Sequence, residues 1–333
     1  MGYYGKIFLF FTLAIALYCP LTEAKPCHEV MKILPKTLQM KSPRGASPFS
    51  RIKKNNLTPF ERRSLVAAKT MLKEELKEYQ EAYPEEAHLY TQTIPPSSAY
   101  AQLISFVTGA NDFRKISRFL QNNPKLPNLS LGESDRKWNS YINKRKWNMG
   151  DEFSPPHIIA NLFFKIHALD WAFEFAPNLG KAILYRGEIW GSDRLIPKKG
   201  DKVKYTNFIS TSVTPNIAHS FSKVDEVIDS LTAPSSDDQT WEDAQEVIKD
   251  ENKWNDRPTS VFTVFDFRTA KSKALWVPAI LHANADNPHI TNLEPENEVL
   301  LPRGMEFNTT FVKYLERGKY PLLVRVLKPV TDN

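Results

Sequence analysis

Three short stretches decide the fold expected of this sequence: LYRG at residues 184–187, NFISTS at residues 207–212 and ENEVLLP at residues 296–302. Their β-branched and apolar residues occur in short runs, which are typical of strands. Similar runs surround them, so strands are predicted at Ala182–Arg186, Tyr205–Ser212, Ser260–Phe267, Ala274–Leu281, Glu296–Leu301 and Tyr320–Val326. Because no helix alternates regularly with these strands, an antiparallel arrangement in two sheets is favoured over a parallel sheet.

The first half of the chain is predicted to be helical. Thr58-Pro59-Phe60-Glu61 combines an N-cap, a proline in the first turn and a capping-box glutamate, and a helix with apolar residues every three or four positions should follow until Pro84. Further helices are predicted at Ser98–Val107, Asn111–Gln121, Ser134–Trp147 and from Ser154 to before Pro177, and two short ones around a mobile loop between Phe221 and Pro258. The fold class is therefore expected to be α+β.

The N-terminus is expected to be an export signal. An apolar run from Ile7 to Leu17 follows Lys6 and is too short to span a bilayer, and the small residues Thr22 and Ala24 suit cleavage after Ala24. The predicted organisation is a signal peptide at residues 1–24, an N-terminal helical region at 25–130 and a second domain at 131–333. A secreted protein without a membrane span follows from this organisation.

Composition and motifs exclude several chemistries. With 41% hydrophobic residues, 25% charged residues and a net charge of +6, the chain is typical of a globular protein, and no nucleic-acid partner is expected. Neither a Gly-x-Gly-x-x-Gly turn nor a Gly-x-x-x-x-Gly-Lys loop occurs. The seven histidines form no His-Glu-x-x-His motif and no Cys-x-x-Cys pair exists, so no metal is predicted.

The three opening stretches contain side chains suited to one site. Arg186 is predicted to end a strand, where a planar guanidinium could hold a diphosphate through paired hydrogen bonds, and Gly187 is expected to let a ligand approach. On an extended chain Glu296 and Glu298 project from the same face, about 6 to 7 Å apart. By the same alternation Ser210 faces away from its neighbour Thr211.

Taken in this order, the arginine, serine and glutamate stretches resemble the signatures of the mono-ADP-ribosyltransferases, in particular the bacterial toxin-like arginine-serine-glutamate class. The resemblance extends from about Ser134 to the C-terminus, with a looser match of Trp138 to Asn143 to the family's helical Tyr/Asn element. It implies a catalytic domain at 131–333, in which two mainly antiparallel β-sheets surround an NAD cleft. NAD would be a substrate, with a protein that exposes an arginine as acceptor, and no metal would be needed.

The resemblance also implies a role for each site residue. Glu298 would be the catalytic glutamate, steadied by Ser210, and Glu296 would serve the acceptor, since a glutamate at this position accompanies arginine modification in the family. Arg186 would bind the NAD diphosphate. The other residues that would line the NAD cleft are Asn207, Ser210, Thr211, Ser212 and Phe221, although packing in the core is an equal alternative for Phe221.

Two other functions remain open at this point. In an NAD glycohydrolase water would replace the acceptor, and Glu298 would suffice without Glu296. A non-catalytic interaction module could use the same fold, with the N-terminal helices binding a partner. The resemblance does not identify the acceptor, because no aromatic residue precedes Glu296 in the segment 282–295, where many relatives present a ring that recognises the target.

Overall fold

The computed structural model describes residues 30–38, 48–85, 98–108, 110–126, 156–190, 196–222, 259–283, 297–315 and 321–330. The predicted signal peptide, the predicted helix at Ser134–Trp147 with Asn143, the two predicted helices after Phe221 and the residue Glu296 lie outside this part of the chain. Within it, helices are followed by a mixed sheet, so the predicted α+β class is confirmed.

Residues 30–33 are helical, and a 3-10 helix follows at Lys36–Leu38. The longer helices before the first strand are α1 (Pro48–Lys53), α2 (Pro59–Ala82), α3 (Ala99–Thr108), α4 (Ala110–Asn122) and α5 (Pro156–Phe175). Helix α2 begins with the predicted capping box, in which the Thr58 hydroxyl accepts from Glu61 N and the Glu61 carboxylate accepts from Thr58 N. Its buried face follows Ala68 and Met71 but also includes Glu75, which the apolar pattern does not indicate.

Helix α5 carries little polar surface in its second half. On one face Leu162, Ile166, Leu169 and Phe173 are buried, and so are Phe163, Ala168 and Ala172 on its other sides. A helix that is apolar around most of its circumference belongs in the interior. It accordingly packs against α2, α3 and α4, and its buried residues belong to a core cluster that also contains residues of the sheet.

Eight strands of the described residues form one continuous sheet: β1 (Ile183–Trp190), β2 (Lys202–Lys204), β3 (Ile209–Ser212), β4 (Thr259–Asp266), β5 (Leu275–Trp276), β6 (Glu298–Leu301), β7 (Glu306–Leu315) and β8 (Leu322–Pro329). Their order is β2-β7-β8-β4-β1-β3-β6-β5, and neighbours are antiparallel except for β4 and β8. The described strands thus form one sheet where two were predicted, because β1 and β3 pair at Tyr185 and Ser212.

The predicted strand at Ala274–Leu281 is wrong over most of its length. Only Leu275–Trp276 is a strand, and helix α7 (Val277–Ala283) follows at once with Pro278 in its first turn. The residues of this run from Val277 to Leu281 are all buried, and a short run that is apolar on every side does not distinguish a strand from a buried helix. The strands β2 and β7 were not predicted, and helix α6 (Pro215–Ser220) follows the serine strand.

The N-terminal helices and the sheet share their hydrophobic core. The Tyr100 hydroxyl of α3 donates to the carbonyl of Ile280 in α7 over 2.8 Å, and both side chains belong to one buried cluster. On the opposite face of the sheet, Val30, Met31 and Leu34 pack near Tyr185 and other strand residues. None of the described helices is long and apolar enough to cross a membrane.

Candidate active site

The serine strand and the glutamate strand are neighbours in the sheet. In the β3–β6 pair Ser210 lies opposite Leu300 and Ser212 opposite Glu298. Ser210 and Glu298 are therefore diagonal neighbours on one face, where side chains can meet. The Ser210 hydroxyl donates to Oε1 of Glu298 over 2.5 Å. A hydrogen bond from a hydroxyl to a carboxylate is short and charge-assisted, and this one fixes the position of the Glu298 carboxylate.

Arg186 joins this pair from strand β1. Its Nη1 donates to the backbone oxygen of Ser210 over 2.8 Å, and its Nε lies 2.9 Å from Oε1 of Glu188. The expectation that Arg186 ends its strand is wrong, because β1 continues to Trp190 in register with β4 and places Arg186 opposite Thr263. The guanidinium consequently projects from the middle of the sheet towards the Ser210–Glu298 pair.

Glu188 and Arg325 extend the site, and neither is predicted from the sequence. Nη2 of Arg325 donates to Oε2 of Glu188 over 3.1 Å and to the Tyr205 hydroxyl over 2.7 Å. The Arg325 guanidinium also lies 4.5 Å from the ring centroid of Trp190. The side-chain alternation from Arg186 to Glu188 along β1 is a signal that could have identified Glu188, whereas nothing near Arg325 in the sequence indicates its partner.

The charges of these groups alternate in space. Burial raises the pKa of Glu298, while the Ser210 hydrogen bond and the charge of Arg186 oppose this rise. Burial lowers the pKa of Arg186, but the Glu188 carboxylate and the other nearby groups more than compensate, and the net shift is upward. Arg186 is thus a fixed cation beside a glutamate that binds a proton more readily than an exposed glutamate does.

Gly187 serves helix packing, which corrects the expectation that it admits a ligand. A Cβ at this position would lie 1.8 Å from the carbonyl oxygen of Ala218 and 2.9 Å from the carbonyl carbon of Phe221. The missing side chain therefore lets helix α6 and the residues after it lie directly on β1. Phe221 follows this helix and is 43% exposed, so the alternative that it packs in the core is wrong.

The remaining predicted site residues form hydrogen bonds to other residues of the chain. Asn207 is buried and donates to the Ser117 hydroxyl of α4 over 3.3 Å. The Thr211 hydroxyl donates to the backbone oxygen of Val299, which ties β3 to β6. The Ser212 oxygen accepts from Thr214 N over 3.0 Å. These contacts hold the serine strand, and the part of these residues in lining an NAD cleft stays a prediction.

Ser210 therefore contacts both Arg186 and Glu298, and Phe221 follows the helix that packs on Gly187. Glu296 lies outside the described residues, although Asn297, between the two glutamates, is described. Within the described part of the chain, no group of His, Cys, Asp and Glu side chains is arranged to hold a metal ion. The arrangement can present one carboxylate and one guanidinium to a polar substrate.

Comparisons with known proteins found similarity at the level of solved structures. No protein-family model matches the chain, and no curated protein matches it. Similar structures include Vis toxin, an ADP-ribosyltransferase from Vibrio splendidus, at 16% identity over 85% of this chain and 91% of that chain, with a TM-score of 0.38. The C3 exoenzyme of Clostridium limosum is 17% identical over 76% of this chain and 94% of that one, with a TM-score of 0.33.

A third similar structure is the enzymatic component C2-I of the C2 toxin from Clostridium botulinum. It is 13% identical and the match covers 75% of this chain and 47% of that chain, with a TM-score of 0.35. The chain is thus similar to bacterial mono-ADP-ribosyltransferase toxins. Identities and TM-scores this low leave its chemistry to be inferred from its own side chains.

Proposed function

We propose that this chain is a secreted mono-ADP-ribosyltransferase, which transfers ADP-ribose from NAD to arginine side chains of a protein and releases nicotinamide. One observation carries the proposal: Ser210 donates to Glu298 while Arg186 donates to the backbone of Ser210. The three residue types that resemble the transferase signature, spread over more than a hundred positions of sequence, meet at one place in the sheet.

The chemistry of this reaction suits a single fixed carboxylate. The bond between the ribose and nicotinamide already has a cationic leaving group, so it can break with its electron pair moving to the nicotinamide nitrogen and without a general acid. The ribose then develops positive charge, which a nearby anion stabilises. Glu298 is held by Ser210 before any substrate binds, so little reorganisation would be needed in the transition state.

We assign Arg186 to the diphosphate of NAD. Its guanidinium lies beside Ser210 and Glu298 and has five donors in a planar fork, a geometry that matches paired phosphate oxygens. Phe221 is exposed and would stack on the cationic nicotinamide ring. Asn207, Thr211 and Ser212 would line the same cleft.

We assign Glu296 to the acceptor. It is two residues before Glu298 in the sequence, so it would share a face with Glu298 if the strand continued through Asn297. A carboxylate cannot deprotonate a free guanidinium, which stays charged at every pH at which proteins work. Glu296 would orient the acceptor and take its proton as the new bond to the ribose forms. In this proposal residues 1–24 are the export signal and residues 131–333 the catalytic domain.

The test is nicotinamide release from NAD by the protein without residues 1–24, with and without agmatine as a small guanidine acceptor. Release should rise with agmatine and fall by at least about a hundredfold in Glu298→Gln, because the anion is lost. Glu306→Gln is the matched control, since Glu306 is also the first residue of a strand but pairs with Lys204 in β7–β2. No release by the unmodified protein would refute a transferase.

The acceptor assignment has its own variant. Glu296→Gln should lose transfer to agmatine but keep the hydrolysis of NAD, because Glu298 remains. Release that is indifferent to agmatine in the unmodified protein would show an NAD glycohydrolase instead. Equal loss of transfer and hydrolysis in Glu296→Gln would contradict the division of roles between the two glutamates.

A further inference from the structure

Asn297 is held from several directions at the point where strand β6 begins. Its Oδ1 accepts from Nε1 of Trp276 over 3.0 Å and from Nη2 of Arg51 over 3.2 Å. Its backbone oxygen accepts from Val213 N over 3.4 Å and lies 3.5 Å from the Ser212 hydroxyl oxygen. Strand β5, helix α1 and the end of the serine strand therefore all bind this one residue.

Arg51 is itself held in place by the N-terminal helices. Its Nη1 lies 2.7 Å from Oε1 of Glu61, and the Arg51 side chain is only 18% exposed. The other oxygen of Glu61 accepts from Thr58 N in the capping box of α2. The guanidinium also lies over the Trp276 ring, 5.8 Å from its centroid. One end of the Arg51 fork is thus fixed by α2, and the other reaches the chain between the two glutamates.

We propose that Arg51 is a positioning residue of the transferase site, acting through Asn297 on Glu298. This inference rests on the proposed function. Glu298 is the first residue of β6, where a strand is easily displaced, and the clamp on Asn297 fixes the chain directly before it. A displacement of about 1 Å of a reacting group can cost about a hundredfold in rate. The N-terminal helical region is then part of the active site and does not serve only as a support.

A purely structural role of Arg51 would produce a different pattern. Arg51 could tie α1 to α2 through Glu61 alone, and the bond to Asn297 would then be incidental. In that case Arg51→Met would lower stability without a specific effect on turnover. If Arg51 acts through Asn297, the variants Arg51→Met and Asn297→Ala remove the same clamp, and their effects should not multiply.

The experiment compares nicotinamide release by Arg51→Met, Asn297→Ala and the double variant. We expect kcat to fall about tenfold in each single variant, while KM for NAD changes less than about twofold. The kcat of the double variant should match that of the less active single variant within about twofold. Arg63→Met is the matched control, because Arg63 also joins the N-terminal region to the rest of the chain, donating to the backbone oxygen of Asn178. An unchanged kcat in Arg51→Met, or effects that multiply, would overturn the inference.

A second measurement does not depend on activity. Hydrogen exchange of peptides covering residues 209–213 and 297–301 should accelerate about tenfold in Arg51→Met, while peptides from β4 and β8 keep their exchange rates. Arg63→Met should leave all of these rates unchanged. If the unmodified protein releases no nicotinamide, the proposed function fails, and these exchange rates alone decide whether Arg51 fixes the start of β6. Equal acceleration in β4 and β8 would show global destabilisation and contradict the positioning role.

Discussion

At the scale of single residues, the Ser210–Glu298 hydrogen bond should set the pH dependence of turnover. Burial raises the pKa of Glu298 above its ordinary 4.5, and the Ser210 hydroxyl opposes this by stabilising the charged form. Only the anion assists the departure of nicotinamide, so kcat should fall as the pH drops through the raised pKa. In Ser210→Ala the pKa rises further, and the acid limb of kcat should move to higher pH.

This prediction is checked by measuring kcat for nicotinamide release from about pH 4 to pH 9. Ser272→Ala provides the control, since the Ser272 hydroxyl lies on an exposed loop and donates to the adjacent carbonyl of Lys273. An acid limb that stays in place in Ser210→Ala, or moves to lower pH, would show that Ser210 does not stabilise the ionised Glu298.

Binding of NAD should require the planar guanidinium of Arg186, which a lysine cannot replace. In Arg186→Lys a single ammonium cannot reproduce the fork that meets both Ser210 and Glu188, so KM for NAD should rise about tenfold or more. Arg268→Lys is a suitable control, because Arg268 binds Asp266 through two nitrogens on the opposite face of the sheet. Steady-state kinetics in which Arg186→Lys keeps the original KM would contradict the diphosphate assignment.

The sequence could identify Arg186, Ser210 and Glu298 because each lies in a short strand pattern and their order resembles a known signature. Their supporting contacts could not be found in the same way. Glu188 and Arg325 are 137 residues apart, and Arg51 and Asn297 are 246 apart. Such pairs form only once the strand order and the helix packing are established. Neither of these can be predicted from a local sequence pattern.

At the scale of the elements, Glu75 links helix α2 to the start of α3. Its Oε1 accepts from Ala99 N over 2.8 Å, while Oε2 is buried without a hydrogen-bond partner among the described residues. Burial raises the pKa of Glu75 to about 7. Between its unfolded value of 4.5 and about 7 the folded chain holds a proton that the unfolded chain releases, so the free energy of unfolding should decrease as pH rises through this range.

Glu75→Gln should remove this dependence, because the amide keeps the acceptor for Ala99 and carries no charge. Its free energy of unfolding should exceed that of the original protein by roughly 3 kcal/mol above about pH 7, and the two should converge near pH 4. Urea unfolding across this range measures the difference. Glu81→Gln, which changes an exposed residue of the same helix, should show no such divergence, and parallel curves for Glu75→Gln would disprove the raised pKa.

The elements themselves were predictable where a local signal begins or ends them. The start of α2 follows from Thr58 and Glu61, whose side chains satisfy the first backbone groups of the helix. The sequence of helix α7 indicates a strand because burial of Val277 to Leu281 on every side hides the helical period. Strand β7 was missed because it spans ten residues of mixed polarity, and pairing with β8 and β2 defines it more than its own pattern does.

At the scale of the whole molecule, a buried ion pair joins three distant segments. Nε and Nη2 of Arg303, in the turn after β6, donate to both oxygens of Asp170 in α5, and Nη1 donates to the carbonyl of Leu126. Burial raises the pKa of Asp170, against the opposing effect of Arg303. Arg303→Met would leave this carboxylate buried without its cation, and should lower the free energy of unfolding by about 3 to 5 kcal/mol.

Replacing both partners distinguishes the contribution of the ion pair to stability from the cost of burying an unpaired charge. The double variant Asp170→Leu with Arg303→Met should recover much of the stability lost in Arg303→Met, because no unpaired charge remains. Urea unfolding of the two variants measures this recovery. A double variant that is less stable than Arg303→Met would mean that the ion pair itself, and not the uncompensated charge, dominates.

The shared core also predicts how the chain unfolds. Residue 131 is the predicted start of the catalytic domain, yet the core cluster contains side chains of α2, α3 and α4 together with those of α5 and the sheet. A fragment beginning at residue 131 would expose the surface that these helices cover and lose the Tyr100–Ile280 and Arg51–Asn297 hydrogen bonds. Apolar surface of that extent leads to aggregation when it is uncovered.

We therefore expect the fragment to be insoluble or to unfold without a cooperative transition. The chain from residue 25 should instead give one transition in which tryptophan fluorescence and far-UV circular dichroism coincide. A soluble fragment that unfolds cooperatively and still releases nicotinamide would show that the N-terminal helices are dispensable, and would count against both the common core and the role of Arg51.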